Sequence, residues 1–307
     1  MSSGGLMNGT EKGRLLLIAN PAAGKRAMER RFDEVCGIFE SGGYSVTAVL
    51  TSAPGEAESI AFGQAAGHDL IVSAGGDGTL YQVLNGMLRA GLDLPIGHIP
   101  CGSTNEFASA HKLPARITEA AKRILEGGER RVNVGKFGER YFLGTAAFGA
   151  FSWMGYATDQ SKKNRYGYSA YVMEGLRGLK RNGPHHVRVI ADGEAHEGDY
   201  LFGAVCATDE LSRRVRFGRD RDVPNPKALE LLLVRDIKHF SDAGSVIRSL
   251  STGEYDDSAL FFARADEIVI ENEPGLIWSI GGESSGEFAS VGIGAVKDGL
   301  RILGAGK

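Results

Sequence analysis

Gly75-Gly76-Asp77-Gly78-Thr79 is the stretch of this sequence with the densest chemical signal. Its glycines let the backbone close on a phosphate without side-chain hindrance. Backbone N–H groups in such a turn, just ahead of a helix, form a seat for an anion. Asp77 is the carboxylate of the stretch, and a lone carboxylate among phosphates is best used to hold Mg²⁺, directly or through water. The plainer alternative is a tight turn between a strand and a helix. Gly-Gly alone would fit either reading; the longer sequence favours phosphate binding.

The elements around it fit that use. Asp69-Leu70-Ile71-Val72-Ser73 is a short apolar run of the buried-strand type, and Leu80 to Leu88 has helical spacing. Upstream, Arg14–Ala19 reads as a strand ending in Asn20-Pro21-Ala22-Ala23-Gly24-Lys25, with a helix from about Arg26 to Ser41. This is not a Walker A loop, because the first Gly is missing and Arg26 follows the Lys. Tyr44–Leu50 reads as a strand, Thr51–Gly55 as a loop and Glu56–Ala66 as a helix. Pro95–Ile99 reads as a strand leading into Pro100-Cys101-Gly102-Ser103-Thr104-Asn105-Glu106-Phe107-Ala108, with a helix near Arg116–Glu126. Alternating strands and helices with short turns predict a parallel, doubly wound sheet. Ligands of such sheets bind at the strand carboxyl ends. Asn20–Lys25, Thr51, Gly75–Thr79 and Gly102–Asn105 all fall there.

Beyond Gly128 the pattern changes. Arg130–Val134, Tyr141–Phe148, His186–Ala191, Tyr200–Ala207, Leu229–Val234, Asp266–Ile270 and Gly275–Ile280 read as strands. Helical spacing is confined to about Tyr166–Lys180 and Phe240–Leu250. A mostly antiparallel second domain follows, a sandwich or flattened barrel, with a hairpin turn at Asp192-Gly193. The expected division is a disordered leader over 1–12, an α/β domain over 13–128 and a β-rich domain over 129–307, the last strand being free to return to the first domain.

Composition narrows the classes. Lys and Arg number 35 against 38 Asp and Glu, so the overall charge does not suggest a nucleic-acid binder. Cys36, Cys101 and Cys206 lie far apart with no C-x-x-C spacing, which indicates neither a zinc site nor a disulfide framework. Met1–Lys12 lacks the apolar core of a signal peptide, and no apolar run reaches the length of a membrane span. The expected setting is cytoplasmic, with any membrane contact peripheral.

These motifs together resemble the bacterial diacylglycerol kinase-like lipid kinases, related to the sphingosine and ceramide kinases. Asn20–Lys25 is similar to the family's Asn-Pro-x-Ser/Ala-Gly-Lys loop, and Gly75–Thr79 is identical to its nucleotide loop. Pro100–Ala108 is similar to its Pro-x-Gly-Thr-x-Asn-Asp-Phe-Ala segment. Weaker likenesses run through Phe148-Gly149-Ala150, Lys163–Gly167, Ala170-Tyr171 and Gly281-Gly282-Glu283. The resemblance implies a Rossmann-like nucleotide-binding domain followed by a β-rich lipid domain. It implies transfer of the γ-phosphate of ATP to a lipid hydroxyl, diacylglycerol favoured, with Mg²⁺. By resemblance, Asn20, Lys25, Thr51, Gly75, Gly76, Asp77, Gly78, Thr79, Ser103 and Asn105 would hold the nucleotide, and Asp77 the metal. The expected partner is a lipid at the membrane surface, with no nucleic acid, and a homodimer is compatible with the sequence.

The chain departs from the family at the acid/base side. The family's Asp-Gly-Glu turn, whose Asp is its general base, here reads Gly281-Gly282-Glu283. Glycine cannot accept a proton, so either Glu283 takes the base role, or a water does, or transfer is very weak; Glu283 and Asp77 stand as the candidate catalytic carboxylates. Asn225-Pro226-Lys227 lacks the Asp-Gly that supports an accessory metal site in the family. Tyr81-Gln82 replaces Asn-Glu, Ser103 replaces Thr and Glu106 replaces Asp. A catalytically weakened or binding-only relative is therefore the alternative. NAD kinase shares Gly-Gly-Asp-Gly-Thr but not the Pro100–Ala108 pattern. Gly282-Glu283-Ser284-Ser285-Gly286 matches a nucleophile elbow, but a strand-like alternation follows it and no later His exists. His185-His186 point to opposite faces of a strand and make a poor chelate. The Arg-containing stretch Asp209–Asp222 reads as a solvated loop, or as a basic lip for anionic groups.

Overall fold

The structure, a computed structural model, describes residues 12–103, 105–149, 183–207, 229–236, 245, 256, 258–281 and 283–306. The expected helix over 166–180, that over 240–250 apart from residue 245, the 163–171 likeness, the 209–222 charged stretch and Asn225–Lys227 lie outside these residues. The chain divides into two units, Met1–Val132 with Asp298–Lys307, and Asn133–Lys297.

In the first unit, buried strands alternate with helices. They are β1 (Gly13–Ala19), α1 (Ala23–Arg26), α2 (Phe32–Ser41), β2 (Tyr44–Leu50), α3 (Glu56–Gln64), β3 (Leu70–Gly75), α4 (Asp77–Arg89), β4 (Pro95–Pro100), α5 (Glu106–Ala110) and α6 (Ile117–Leu125). The sheet order is β4-β3-β1-β2, all parallel, and Arg301–Leu303 add a parallel strand beside β4. Parallel strands put every carboxyl end on one edge, which gathers the loops singled out in the sequence.

Alternation along each strand divides the core between two faces. Leu15, Leu17, Val72 and Ile99 pack with Val35 and Phe39 of α2 and with Ala120, Ala121 and Ile124 of α6. Gly97 belongs to that face too, since a Cβ there would meet Ile124. Leu16, Ile18, Ile71, Ser73 and His98 alternate to the other face, toward α3, α4 and α5, and all are fully buried.

The expected helix from Arg26 to Ser41 is broken. The chain passes from α1 through a 3₁₀ turn, Glu29–Arg31, before α2 begins. Gly24 and Arg26 both have positive φ, 58° and 63°. A Cβ at Gly24 would run into the Cys101 carbonyl, so the bend serves close packing of this loop on the one after β4.

The second unit is strand-rich. It contains most of β5 (Glu129–Phe137), then β6 (Arg140–Phe142), β7 (Thr145–Gly149), β8 (His185–Ala191), β9 (Glu194–Cys206), β10 (Leu229–Arg235), β11 (Leu260–Ala265) and β12 (Glu267–Ile280), and most of β13 (Glu283–Leu303). Its strands pair antiparallel: β10 with β9 and β11, β12 with β7, β8 and β13, β9 with β7 and β8, and β5 with β6. Two long strands are shared: β9 pairs β8 through Glu194–Tyr200 and β7 through Phe202–Cys206. β12 likewise pairs β8 through Ile268–Glu271 and β7 through Trp278–Ile280. The pairing circuit β9-β7-β12-β8-β9 therefore closes on itself. Trp278 lies inside, with Phe137 and Phe148 at ring centroid separations of 4.9 and 5.0 Å.

Two strand expectations need correction, and one strand was not anticipated. Tyr141–Phe148 is two strands, because Gly144 takes φ 80° and sends the halves to different partners. Asp266–Ile270 and Gly275–Ile280 are one strand with a register shift between Glu271 and Leu276. β11 had no expected counterpart, since its run Leu-Phe-Phe-Ala-Arg-Ala has no clean alternation. Asp192-Gly193 forms the expected hairpin turn, with φ 46° and 90°. His185 is half-buried against Phe148. His186 is exposed between Asp199 and Glu197, both at 2.8 Å, which raise its pKa, Asp199 most.

Candidate active site

Three loops at the carboxyl edge of the first unit are tied to one another. β3 ends at Gly75, and Gly76 is the extended N-cap of α4. Thr79 and Leu80 donate their N–H groups back to the Gly76 carbonyl, at 3.0 and 3.2 Å. A helix start leaves its first N–H groups without intrahelical acceptors, which is the property an anion uses. Asp77 and Arg89 stand at the first and last positions of α4, each at the end its charge favours. Thr79 is buried under the turn, and a Cβ on Gly75 would collide with its side chain.

The glycines also bring two loops together. A Cβ on Gly102 would lie 2.6 Å from the Gly76 Cα, and one on Gly76 would lie 3.3 Å from the Gly102 Cα. Cys101 donates its N–H to the Gly75 carbonyl at 2.7 Å. Gly102 donates to Asn105 Oδ1 at 2.8 Å, and Asn105 Nδ2 returns a bond to the Gly102 carbonyl at 3.0 Å. Asn105 is held in the left-handed region, φ 49°, as the N-cap of α5. Its side chain thus shapes the loop that carries it. Burial drives the Cys101 thiol up to about 12, so it is inert.

Asp77 closes the arrangement. Its Oδ2 accepts the Glu106 N–H at 2.9 Å and its Oδ1 the Phe107 N–H at 3.1 Å. The first residue of α4 thereby caps α5 across 29 and 30 residues of sequence. Among the described residues no three His, Cys, Asp or Glu side chains gather as a metal site.

The other expected residues fall as follows. Asn20 follows β1, donates its N–H to the Ala74 carbonyl at 2.8 Å, and accepts the Ala22 N–H on Oδ1 at 3.0 Å. Thr51 follows β2 and donates its N–H to the Ala19 carbonyl at 2.9 Å. Lys25 lies in α1, Gly78 in the first turn of α4, and Ser103 on an exposed bend. Asn20, Thr51, Gly75–Thr79, Ser103 and Asn105 therefore share one sheet edge.

Glu283 belongs to the second unit. It opens β13 opposite Ile280, across the turn that contains Gly281. Gly281 has φ 55° and donates its N–H to the Thr145 carbonyl at 3.0 Å. A strand, not a helix, follows Ser284, so the nucleophile-elbow match has the wrong context.

Sequence reading missed the cap made by Asp77 and the contact of Gly76 with Gly102. Partners some 26–30 residues apart leave no periodic trace in a sequence. It also passed over His98, although a His within Pro-Ile-Gly-His-Ile-Pro is visible as a polar interruption of a buried strand.

Residues 14–137 match the family described as the diacylglycerol kinase catalytic domain. A diacylglycerol kinase of Staphylococcus saprophyticus is 28% identical over 280 residues, covering 90% of this chain and 90% of that protein. One of Staphylococcus carnosus is 29% identical over 281 residues, again covering 90% of each. A Bacillus anthracis protein of known structure, proposed to be a diacylglycerol kinase, superposes with a TM-score of 0.74 at 23% identity, over 98% of both chains. That structural likeness establishes the mixed α/β fold with its strand-rich part. The sequence matches bear out the resemblance to the diacylglycerol kinases and, with it, a kinase, an enzyme of phosphoryl transfer.

Proposed function

We propose that this kinase moves the γ-phosphate of ATP to a lipid hydroxyl, with diacylglycerol the favoured acceptor and Mg²⁺ required. The observation that carries the reading is the joined pair of loops at Gly75–Thr79 and Gly102–Phe107, with Asp77 fixed between them. Phosphoryl transfer asks a protein mainly for positioning and charge stabilisation. The start of α4 and the glycine backbone would seat the phosphates. Asn20, Thr51, Ser103 and Asn105 stand at the same edge, where they would frame the nucleotide; Lys25 is assigned there by resemblance. Asp77 would hold Mg²⁺, which offsets phosphate charge when bound. The relatives' name supports the lipid acceptor, which would be met at a membrane surface. Among the described residues, no helix is long and apolar enough to cross a membrane.

Deprotonation of the lipid hydroxyl falls to Glu283, since Gly281 offers no carboxylate. The same observation favours a second reading, a relative that binds nucleotide and transfers phosphate weakly. A backbone at φ 55° tolerates Asp better than most residues, so the missing carboxylate can be restored in place.

The test is transfer of labelled γ-phosphate from ATP to diacylglycerol in mixed micelles, with and without Mg²⁺. The chain would be run beside Gly281→Asp and Glu283→Gln. Mg²⁺-dependent transfer by the unmodified chain, lost in Glu283→Gln, is expected. Silence from the unmodified chain with activity in Gly281→Asp would establish the second reading. Silence from both would reject diacylglycerol as acceptor.

A further inference from the structure

One rung of the first unit's sheet is polar where its neighbours are apolar. Ser73 of β3 and His98 of β4 are register partners, and both are fully buried. Ser73 Oγ and both ring nitrogens of His98 lack a hydrogen bond of good geometry among the described residues, the Ser73 backbone being the polar group beside the ring. The rung lies on the face toward α4 and α5, because Gly97 and Ile99, which flank His98, face α6 and its core. A buried polar side chain without a partner calls for an explanation, since an aliphatic residue would fill the same place at lower free energy.

One contact connects His98 to the site. Its ring meets Phe107 edge-on, at 6.3 Å between centroids and 80° between planes. Phe107 is the residue whose N–H is bonded to Asp77. His98 thus bears on the Asp77–α5 cap through the Phe107 ring.

We propose that His98, supported by Ser73, is a positioning residue that fixes the Asp77 carboxylate from beneath the glycine loop, in the orientation that receives the metal–nucleotide complex. A neutral imidazole suits this task. Uncharged, it packs against Phe107 without placing a net charge in the buried sheet. Burial holds the ring neutral, pushing its pKa down to about 4, with the nearby Asp77 and the Ser73 backbone opposing in part. Among metal sites, partners one layer behind the ligand typically alter affinity by about tenfold or more. The nucleotide part of this inference rests on the proposed function.

The test uses His98→Leu, His98→Phe and His98→Gln in the full chain. Hydrogen exchange of the Glu106 and Phe107 amides would be followed by NMR without nucleotide, alongside amides inside α4. Mg·ATP affinity would be measured by titration calorimetry. In His98→Leu and His98→Phe the two capped amides are expected to exchange faster while the α4 interior does not. Mg·ATP affinity falls about tenfold in both, and His98→Gln, which restores a polar group, recovers part of each effect. Capped amides that exchange as in the unmodified chain, in a variant that melts at the same or a higher temperature, would overturn the proposal and leave His98 as core filler. If the unmodified chain fails to bind Mg·ATP, the functional reading falls, and the amide exchange still decides the role of His98.

Discussion

The loop after β3 and the turn after β12 each place a glycine just past a buried strand, yet they are held in different ways. Gly75 and Gly76 are pressed against Thr79 and Gly102, and the adjacent Asp77 is bonded to two amides of another loop. Substitution is resisted there by contacts from three segments of the chain. Gly281 sits in a short turn between paired strands, with φ 55° and a bond from its N–H to Thr145. Its glycine serves the backbone, and by resemblance it stands where the acid/base chemistry would need a carboxylate. The difference separates two parts of phosphoryl transfer. On the proposed reading, the loop after β3 would seat the phosphates, while the hydroxyl proton would be left to Glu283.

Substitutions can break this contrast or sharpen it. Asp77→Ala should have the largest effect, lowering phosphate transfer roughly 10³-fold and removing about 1 kcal/mol of stability with the α5 cap. Transfer kinetics and urea unfolding would measure the two parts. An effect on stability alone would make Asp77 a cap and nothing more. Gly281→Asp should act in the opposite direction, raising transfer by about 10³-fold if a general base is what the turn lacks. No gain would place the weakness elsewhere.

Acid should expose the floor beneath the first loop. The folded state holds His98 near 4 against its ordinary 6.5, because burial disfavours the charged ring. A depressed pKa gives stability that is complete above pH 6.5 and is lost as pH falls toward 4. The loss approaches roughly 3 kcal/mol. Urea unfolding at several pH values, for the chain and for His98→Leu, should show this acid limb in the first and not in the second. Gly102→Ala should come next, at roughly 2 kcal/mol, since its Cβ would press on the Gly76 backbone. Gly292→Ala, where a Cβ would meet nothing within 4 Å, is the control expected to change little.

Much of the first unit could be read from sequence because its strands are short, apolar and separated by glycine turns. Tyr44–Leu50 and the start of Leu70–Gly75 stand where the pattern puts them. The break at Arg26 was hidden, since it answers to Cys101, far along the chain. In the second unit, β12 and β13 run longer than their alternation suggests, because bulges reset the register. For the site, residue types and strand-end positions were legible, and so was the gap at Gly281. What joins the loops was not. The Asp77 cap and the Gly76–Gly102 contact depend on tertiary neighbours that local pattern does not encode.

Titration of ATP into the chain, with and without Mg²⁺, tests the central claim most directly. The proposed phosphate seat predicts Mg²⁺-dependent binding by the unmodified chain, retained in Gly281→Asp and lost in Asp77→Ala. Absence of binding by the unmodified chain, or binding that survives Asp77→Ala unchanged, would contradict it.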